Sequence, residues 1–183
     1  MIIDLTYLNK EPLFLPNIGE QRVNRDDEYL VFIDKYEFQF LLLSLGFELA
    51  KELLDQFEAD GSWKPSAEQK WKDLVDGKDN WQGLRFSVGE FKQSMIANYV
   101  YCQYLYESDR NLTAVGSVVD DVEKGHRLSN WSKFVNAWRE MIEMRQERKK
   151  DGTLSLKEYL KENKSDFRNY KFQELNNVNT FCL

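Results

Sequence analysis

Residue types that could support acid–base or nucleophilic chemistry are few in this sequence. His126 is the only histidine, so a serine-type triad or a multi-histidine metal site would have one candidate imidazole. Neither Gly-x-Ser-x-Gly nor His-Glu-x-x-His surrounds it, and the glycines between residues 77 and 89 do not form a phosphate-binding loop. The adjacent carboxylates Asp120 and Asp121 stand in a charged stretch that is typical of a solvated loop. We therefore predict no catalytic residue, no cofactor and no enzymatic activity.

Residues 147–158 have some features of a calcium-binding loop. Asp151, Gly152 and Glu158 match the second half of an EF-hand. Lys149, however, stands at the third ligand position, where a carboxylate must coordinate the calcium ion. The segment instead predicts a turn between two helices, with Ser155 as the N-cap of the second helix and no metal site.

The balance of charge limits the classes of partner. Lys and Arg total 25 against 31 Asp and Glu, and the formal net charge is -6. An acidic balance disfavours non-specific nucleic-acid binding, because neutralising phosphates needs a surplus of cations. The basic run from Arg145 to Lys150 is interleaved with Glu143 and Glu147 at helical spacing. This pattern predicts a salt-bridged helix end or, as the alternative, a surface for an acidic partner.

The cysteines and the apolar runs indicate the compartment. Cys102 and Cys182 lie far apart and lack the spacing of metal or redox motifs, so we interpret them as reduced thiols of a cytoplasmic protein. The N-terminus lacks a basic segment followed by an apolar one. Every apolar run is interrupted by charge well short of a membrane span, which predicts no membrane segment.

Apolar residues recur at helical spacing in most of the chain. A long helix is predicted over residues 34–59, with Gly46 interpreted as the site of a close helix crossing. Further helices are predicted from Pro65 to Gly77, over residues 87–108, from an N-cap at Ser129 to residue 150, and over residues 155–162. The helix over residues 87–108 is rich in tyrosine, which we interpret as core packing rather than a ligand site. Residues 109–128 predict a β-hairpin or a loop.

An aromatic turn precedes the tyrosine-rich helix. It follows the pattern Trp71-x-x-Leu74-x-x-Gly77 and then Trp81-x-Gly83-Leu84. Tryptophan supplies a large buried area, and glycine lets the backbone turn tightly against it. We predict that Trp71, Trp81 and Gly83 form a fixed structural elbow, and residues 71–84 are called the elbow below.

Both ends of the sequence predict extended segments. Residues 1–28 mix short apolar groups with proline, asparagine and glycine, which is typical of an arm that needs a partner surface to become ordered. Residues 164–183 are polar, and their apolar side chains have no helical or strand period, which favours an extended tail that binds a groove on another molecule. The predicted tail anchors are Phe172, Leu175, Phe181 and Leu183. The predicted fold class is mainly α, a small helical bundle over residues 29–163 with a short β-hairpin or loop insertion and extended N- and C-terminal arms.

The order of these motifs resembles that of a known family. The apolar helix with Leu45-Gly46 is followed by the elbow, then by Tyr101-x-x-Tyr104-Leu105, Thr113-x-x-Gly116, Trp131-x-x-Phe134-Val135 and Asn177-x-Asn179-Thr180-Phe181. This order is similar to that of head–tail connector proteins, or neck adaptor proteins, of tailed bacteriophages of Bacteroidetes, including crAss-like phages. The likeness spans most of residues 34–183.

The resemblance implies a structural protein of the virion. Such a protein is assembled in the cytoplasm of the host bacterium, forms a ring homo-oligomer, dodecameric to match a portal, and links capsid to tail. Its partners would be copies of itself, the portal protein, and a downstream tail or neck protein, while DNA passes through the channel without specific binding. The alternative is a helical interaction or regulatory protein outside the virion that acts as a monomer or dimer.

Overall fold

In the computed structural model, the regular elements of the described part of the chain are six α-helices, one 3-10 turn at Leu5–Tyr7 and one pair of short strands. The structure describes residues 1–15, 25–88, 91–92, 94–114, 121–147 and 152–176, with the backbone alone at residues 25–27, 87–88, 91, 108–114 and 121–130. The helices are α1 (Arg25–Leu45), α2 (Phe47–Leu54), α3 (Gln69–Asp76), α4 (Met95–Ala114), α5 (Asp121–Gln146) and α6 (Leu156–Glu162). Strands β1 (Ser87–Val88) and β2 (Phe91–Lys92) pair antiparallel. The predicted mainly α fold class is confirmed.

Helix α4 is central, because it packs against both α1 and α5. The ring of Tyr99 lies 5.6 Å from Phe40 on α1 and 6.3 Å from Trp138 on α5, measured between ring centroids. Both Tyr99 and Tyr101 are buried, and burial raises the pKa of each phenol to about 12. The interpretation of the tyrosines as core packing is confirmed for these two.

The long helix predicted over residues 34–59 is two helices. Gly46 has φ of 84° and separates α1 from α2, a conformation that favours glycine because it lacks a Cβ. A Cβ placed on Gly46 would lie 2.9 Å from the Cβ of Lys171. The close approach at Gly46 therefore involves a C-terminal residue rather than a second helix, and the predicted helix crossing was wrong.

The first fifteen residues belong to the core, so the prediction that they need a partner to become ordered was wrong. Ile2, Ile3, Leu8, Leu13 and Leu15 are all buried. The buried carboxylate of Glu37, on α1, accepts hydrogen bonds from the backbone N–H groups of Ile2 and Ile3 at 2.8 to 3.0 Å. Burial raises the pKa of Glu37 although these bonds act in the opposite direction. A segment whose apolar residues have no regular spacing can thus be buried, provided that its backbone N–H groups find hydrogen-bond acceptors.

The connections differ from the predicted ones. Ser87–Val88 pairs with Phe91–Lys92 where the start of the tyrosine-rich helix was predicted, and α4 begins only at Met95. The hairpin or loop predicted over residues 109–128 is absent from the described positions in that range, which are helical: α4 continues to Ala114 and α5 begins at Asp121. Ser129 accordingly lies inside α5 rather than at its N-cap.

The turn before α6 agrees with the prediction. Ser155 is the N-cap of α6: its hydroxyl accepts from the N–H of Glu158, and the Glu158 carboxylate accepts from the N–H of Ser155. This reciprocal arrangement satisfies two N–H groups that the first helical turn leaves free. The helix–turn–helix interpretation of this region is therefore confirmed at Ser155.

Candidate functional site

The elbow holds α3 against the segment that leads to α4. Trp81 is 2% exposed, and its indole N–H donates to the carbonyl of Leu74, on α3, at 2.9 Å. Its backbone exchanges two hydrogen bonds of 2.9 Å with Lys78, which closes a tight turn. The N–H groups of Leu84 and Arg85 then bond to the last carbonyls of α3, which a helix end otherwise leaves unpaired.

Two glycines allow this turn to close. Gly77 ends α3 with φ of 92°, and Gly83 has φ of 82°. A Cβ on Gly83 would lie 2.5 Å from the backbone nitrogen of Gly77 and 2.6 Å from the carbonyl oxygen of Val75. Two backbone segments therefore touch at Gly83, and no other residue type fits there without moving one of them. Of the predicted elbow residues, Trp71 and Trp81 are both buried in the core, and Gly83 lies against the backbone at the end of α3.

Aromatic rings attach the elbow to α6 and to the residues that follow it. The ring of Trp81 stacks on that of Tyr159, on α6, with centroids 5.1 Å apart. Trp71 meets Phe167 edge to face at 5.5 Å, and both side chains are almost completely buried. Because Phe167 comes after α6, this contact fixes the start of the predicted tail on the helical body.

The C-terminal segment, defined here as residues 170–176, continues from Phe167 across the ends of α1 and α5. The N–H groups of Lys171 and Gln173 donate to the carbonyls of Leu45 and Leu43, each at 2.9 Å. These are carbonyls of the last turn of α1, which the break at Gly46 leaves without helical partners. The segment therefore acts as the cap of α1.

The surface that binds the C-terminal segment is called the seat below; it consists of Leu43 and Leu45 on α1 and Trp138, Arg145 and Gln146 on α5. Arg145 is a buried cation at its centre. Its guanidinium donates to the carbonyl of Leu43 at 2.8 Å, to the carbonyl of Gln173 at 2.6 Å and to the hydroxyl of Ser44 at 3.0 Å. The guanidinium carbon also lies 4.1 Å from the centroid of the Phe172 ring, a cation–π contact. Burial lowers the pKa of Arg145 to about 10, so it remains a cation at neutral pH.

The salt-bridged helix end predicted at Arg145 was wrong. Its partners are carbonyls and a hydroxyl rather than Glu143 or Glu147. A cation at the C-terminal end of α1 is stabilised by the helix dipole as well as by these bonds. The rest of the basic run, residues 148–150, lies outside the described residues.

Two side chains of α5 complete the seat. The amide of Gln146 donates to the carbonyl of Leu175 at 2.6 Å and accepts from its N–H at 3.1 Å. The indole N–H of Trp138 donates to the carbonyl of Asn176 at 2.9 Å. The segment is thus held through backbone carbonyls and N–H groups at Lys171, Gln173, Leu175 and Asn176, in addition to the contact of the Phe172 side chain with Arg145.

The predicted tail anchors divide into two groups. Phe172 and Leu175 are half-buried against the core of this same chain, so these two pack on the helical body. Phe181 and Leu183 lie outside the described residues. No sequence signal identified the seat, because a lone arginine in a basic run reads as a surface charge and Gln146 and Trp138 have ordinary helical spacing.

No group of three or more His, Cys, Asp or Glu side chains that could hold a metal ion occurs among the described residues. Cys102 is buried, and burial raises the pKa of its thiol. His126 falls in the part of α5 where only the backbone is described.

The arrangement as a whole is a helical body with a glycine-closed elbow and a backbone-recognised C-terminal segment. Within the described ranges, none of the helices has the length and apolar character needed to span a bilayer. Comparison of the chain with protein-family models, with curated proteins and with solved structures finds no match.

Proposed function

We propose that this protein is a head–tail connector of a tailed bacteriophage virion, a neck adaptor that forms a ring below the portal and links capsid to tail. The proposal combines the order of sequence motifs with the way in which the C-terminal segment lies on the helical body. The role is structural. The partners are further copies of this chain, the portal protein and the next neck or tail protein.

The observation that carries the proposal is the backbone-bonded path of the C-terminal segment. Its backbone is held from Lys171 to Asn176 by α1 and α5, while Gln173, Glu174 and Asn176 are exposed. Asn176, the last described residue of the segment, is thereby held beside Trp138. Residues 177–183, with Phe181 and Leu183, follow it in the sequence. An apolar anchor that starts from a fixed point loses less entropy on binding a neighbouring groove than one on a free chain.

The elbow supports the same role. A ring subunit must transmit force between its neighbours without changing shape, and the contacts at Gly83 and between Trp81 and Tyr159 resist relative movement of α3 and α6. Interiors packed in this way have low compressibility. The helical part of the chain is therefore suited to a subunit that transmits force between the capsid and the tail.

Native mass spectrometry of the full chain, alone and with a purified portal ring, tests the proposal. The portal should come from the phage genome that encodes this chain. We expect a complex in which many copies of the chain join the portal in a closed ring. A chain that stays monomeric or dimeric at every portal concentration contradicts the connector role and favours the interaction or regulatory alternative.

A pair of matched variants tests the anchors separately. Phe181→Ala/Leu183→Ala removes two apolar groups, each worth about 1.5 to 3 kcal/mol when buried, and repeated contacts around a ring multiply the effect. Asn177→Ala/Asn179→Ala alters the same segment without removing an apolar anchor. We expect only the first variant to be depleted from purified particles. Equal incorporation of both variants contradicts the anchor role without contradicting the ring.

A further inference from the structure

Three lysines line a shallow cleft beside the C-terminal segment. Lys157 and Lys161 lie one turn apart on α6, and Lys164 follows the end of that helix. The cleft has a volume of about 430 Å³. Its other lining residues are Asn169, Tyr170, Phe172 and Glu174. We call it the lysine cleft.

The lysine cleft contains more cationic side chains than carboxylates. Lys157 forms an ion pair with Glu174 of the C-terminal segment. Among the residues that the structure describes, no carboxylate oxygen lies within ion-pair distance of the ammonium groups of Lys161 or Lys164, and both side chains are exposed. Three cations thus face one carboxylate, on a protein whose formal net charge is -6.

We propose that the lysine cleft binds an extended acidic peptide from a partner protein. Glu174 shows the chemistry of the site, because it presents a carboxylate from an irregular, extended backbone to Lys157. The hydrogen bond from Lys157 lowers the pKa of Glu174. A second acidic chain beside it would meet Lys161 and Lys164, and the half-buried rings of Tyr170 and Phe172 provide apolar contact for its side chains.

An acidic peptide suits the lysine cleft better than duplex DNA does. A duplex is wide and would bring phosphates close to acidic surfaces around the cleft, such as Glu162 and Asp166, which are both exposed. A short peptide contacts only the cleft, and over a Debye length of about 8 Å the remaining negative charge is largely screened. The inference does not depend on ring formation, since the isolated chain should bind the peptide.

Fluorescence anisotropy with the full chain and a labelled octaglutamate peptide tests the inference. Lys161→Gln/Lys164→Gln should weaken binding by about tenfold, which corresponds to about 1.4 kcal/mol. The control Lys51→Gln/Lys72→Gln removes the same charge from α2 and α3 and should change the affinity by less than about twofold. Circular dichroism should show that both variants keep the helical content of the unchanged protein.

A third variant distinguishes a specific peptide-binding site from non-specific electrostatic attraction between the peptide and the protein. Glu174→Gln removes the carboxylate that already occupies Lys157, so octaglutamate should bind it more tightly than the unchanged protein. The inference is overturned if octaglutamate does not bind, if the two lysine variants lose affinity equally, or if Glu174→Gln weakens binding. Tighter binding of a short DNA duplex or of inorganic phosphate than of octaglutamate likewise overturns it, in favour of a phosphate site.

Discussion

The indole of Trp81 stacks on the phenol ring of Tyr159 at an interplanar angle of 23°. This contact joins the elbow to α6 although the two lie far apart in the sequence. It is reinforced by the N–H of Leu154, which donates to the carbonyl of Asn80 at 2.9 Å. The C-terminal segment follows α6, so its position on the body depends on the elbow.

Replacing Trp81 by alanine should cost about 3 to 5 kcal/mol of unfolding free energy. The substitution removes a buried ring, leaves a cavity against Tyr159 and loses the hydrogen bond to Leu74. Urea unfolding measures the change, with Trp63→Ala as a comparison at a less buried indole. An unchanged unfolding midpoint for Trp81→Ala would contradict its placement in the core.

Gly83 and Gly152 form a matched pair for testing the closed turn. Their φ values are 82° and 87°, so alanine is strained at both. A Cβ on Gly152 meets nothing within 4 Å, whereas one on Gly83 meets backbone atoms at 2.5 Å. We expect Gly152→Ala to cost about 1 to 2 kcal/mol and Gly83→Ala to cost several times more or to prevent folding. Equal thermal melting of the two variants would show that the backbones at Gly83 are not in contact.

Arg145→Met should release the C-terminal segment. The change removes the donors to the carbonyls of Leu43 and Gln173, and each unpaired buried acceptor costs about 1 to 3 kcal/mol. We expect amide hydrogen exchange at Gln173 to become at least about tenfold faster, the factor that corresponds to 1.4 kcal/mol. Arg139→Met is the control, because Arg139 is exposed and bonds Asn136 instead. Unaltered protection of the Gln173 amide in Arg145→Met would contradict the role of Arg145 in holding the C-terminal segment.

The protein should lose stability in alkaline solution. Burial raises the pKa values of Tyr99, Tyr101 and Tyr159 from 10.0 to about 12. Because the folded values lie above the unfolded ones, this contribution to stability is fully present below pH 10 and is lost as the pH rises toward 12. Unfolding by urea at a series of pH values measures the fall. Tyr101→Phe should reduce it, and Tyr106→Phe, which alters a ring that is 53% exposed, should leave it unchanged.

The sequence allows the local features with strong stereochemical signals to be predicted. The end of α3 at Gly77 and the N-cap at Ser155 follow from residue types with few alternatives at those positions. The elbow could be predicted because tryptophan and glycine together serve few other purposes. The break at Gly46 was missed, because one glycine within a continuous apolar pattern costs a helix only about 1 kcal/mol.

The two ends could not be predicted, for a physical reason that they share. Apart from the single 3-10 turn at Leu5–Tyr7, residues 2–15 and the C-terminal segment have no regular structure, and part of each main chain bonds to a distant polar side chain, Glu37 in one case and Arg145 in the other. Period-based analysis detects only segments that bond within themselves or to a neighbouring strand. Such pairings leave no trace in the local sequence.

The cap of α1 also sets an order of events during synthesis. Leu43 and Leu45 leave the ribosome early, but the N–H groups that pair with their carbonyls belong to Gln173 and Lys171, which are translated after every helix of the body. Chains fold from the N-terminal side as they emerge, so the end of α1 must remain hydrated on the nascent chain. Closure of the C-terminal segment therefore follows the synthesis of all six described helices, and until then the last carbonyls of α1 lack the donors that pair with them in the folded protein.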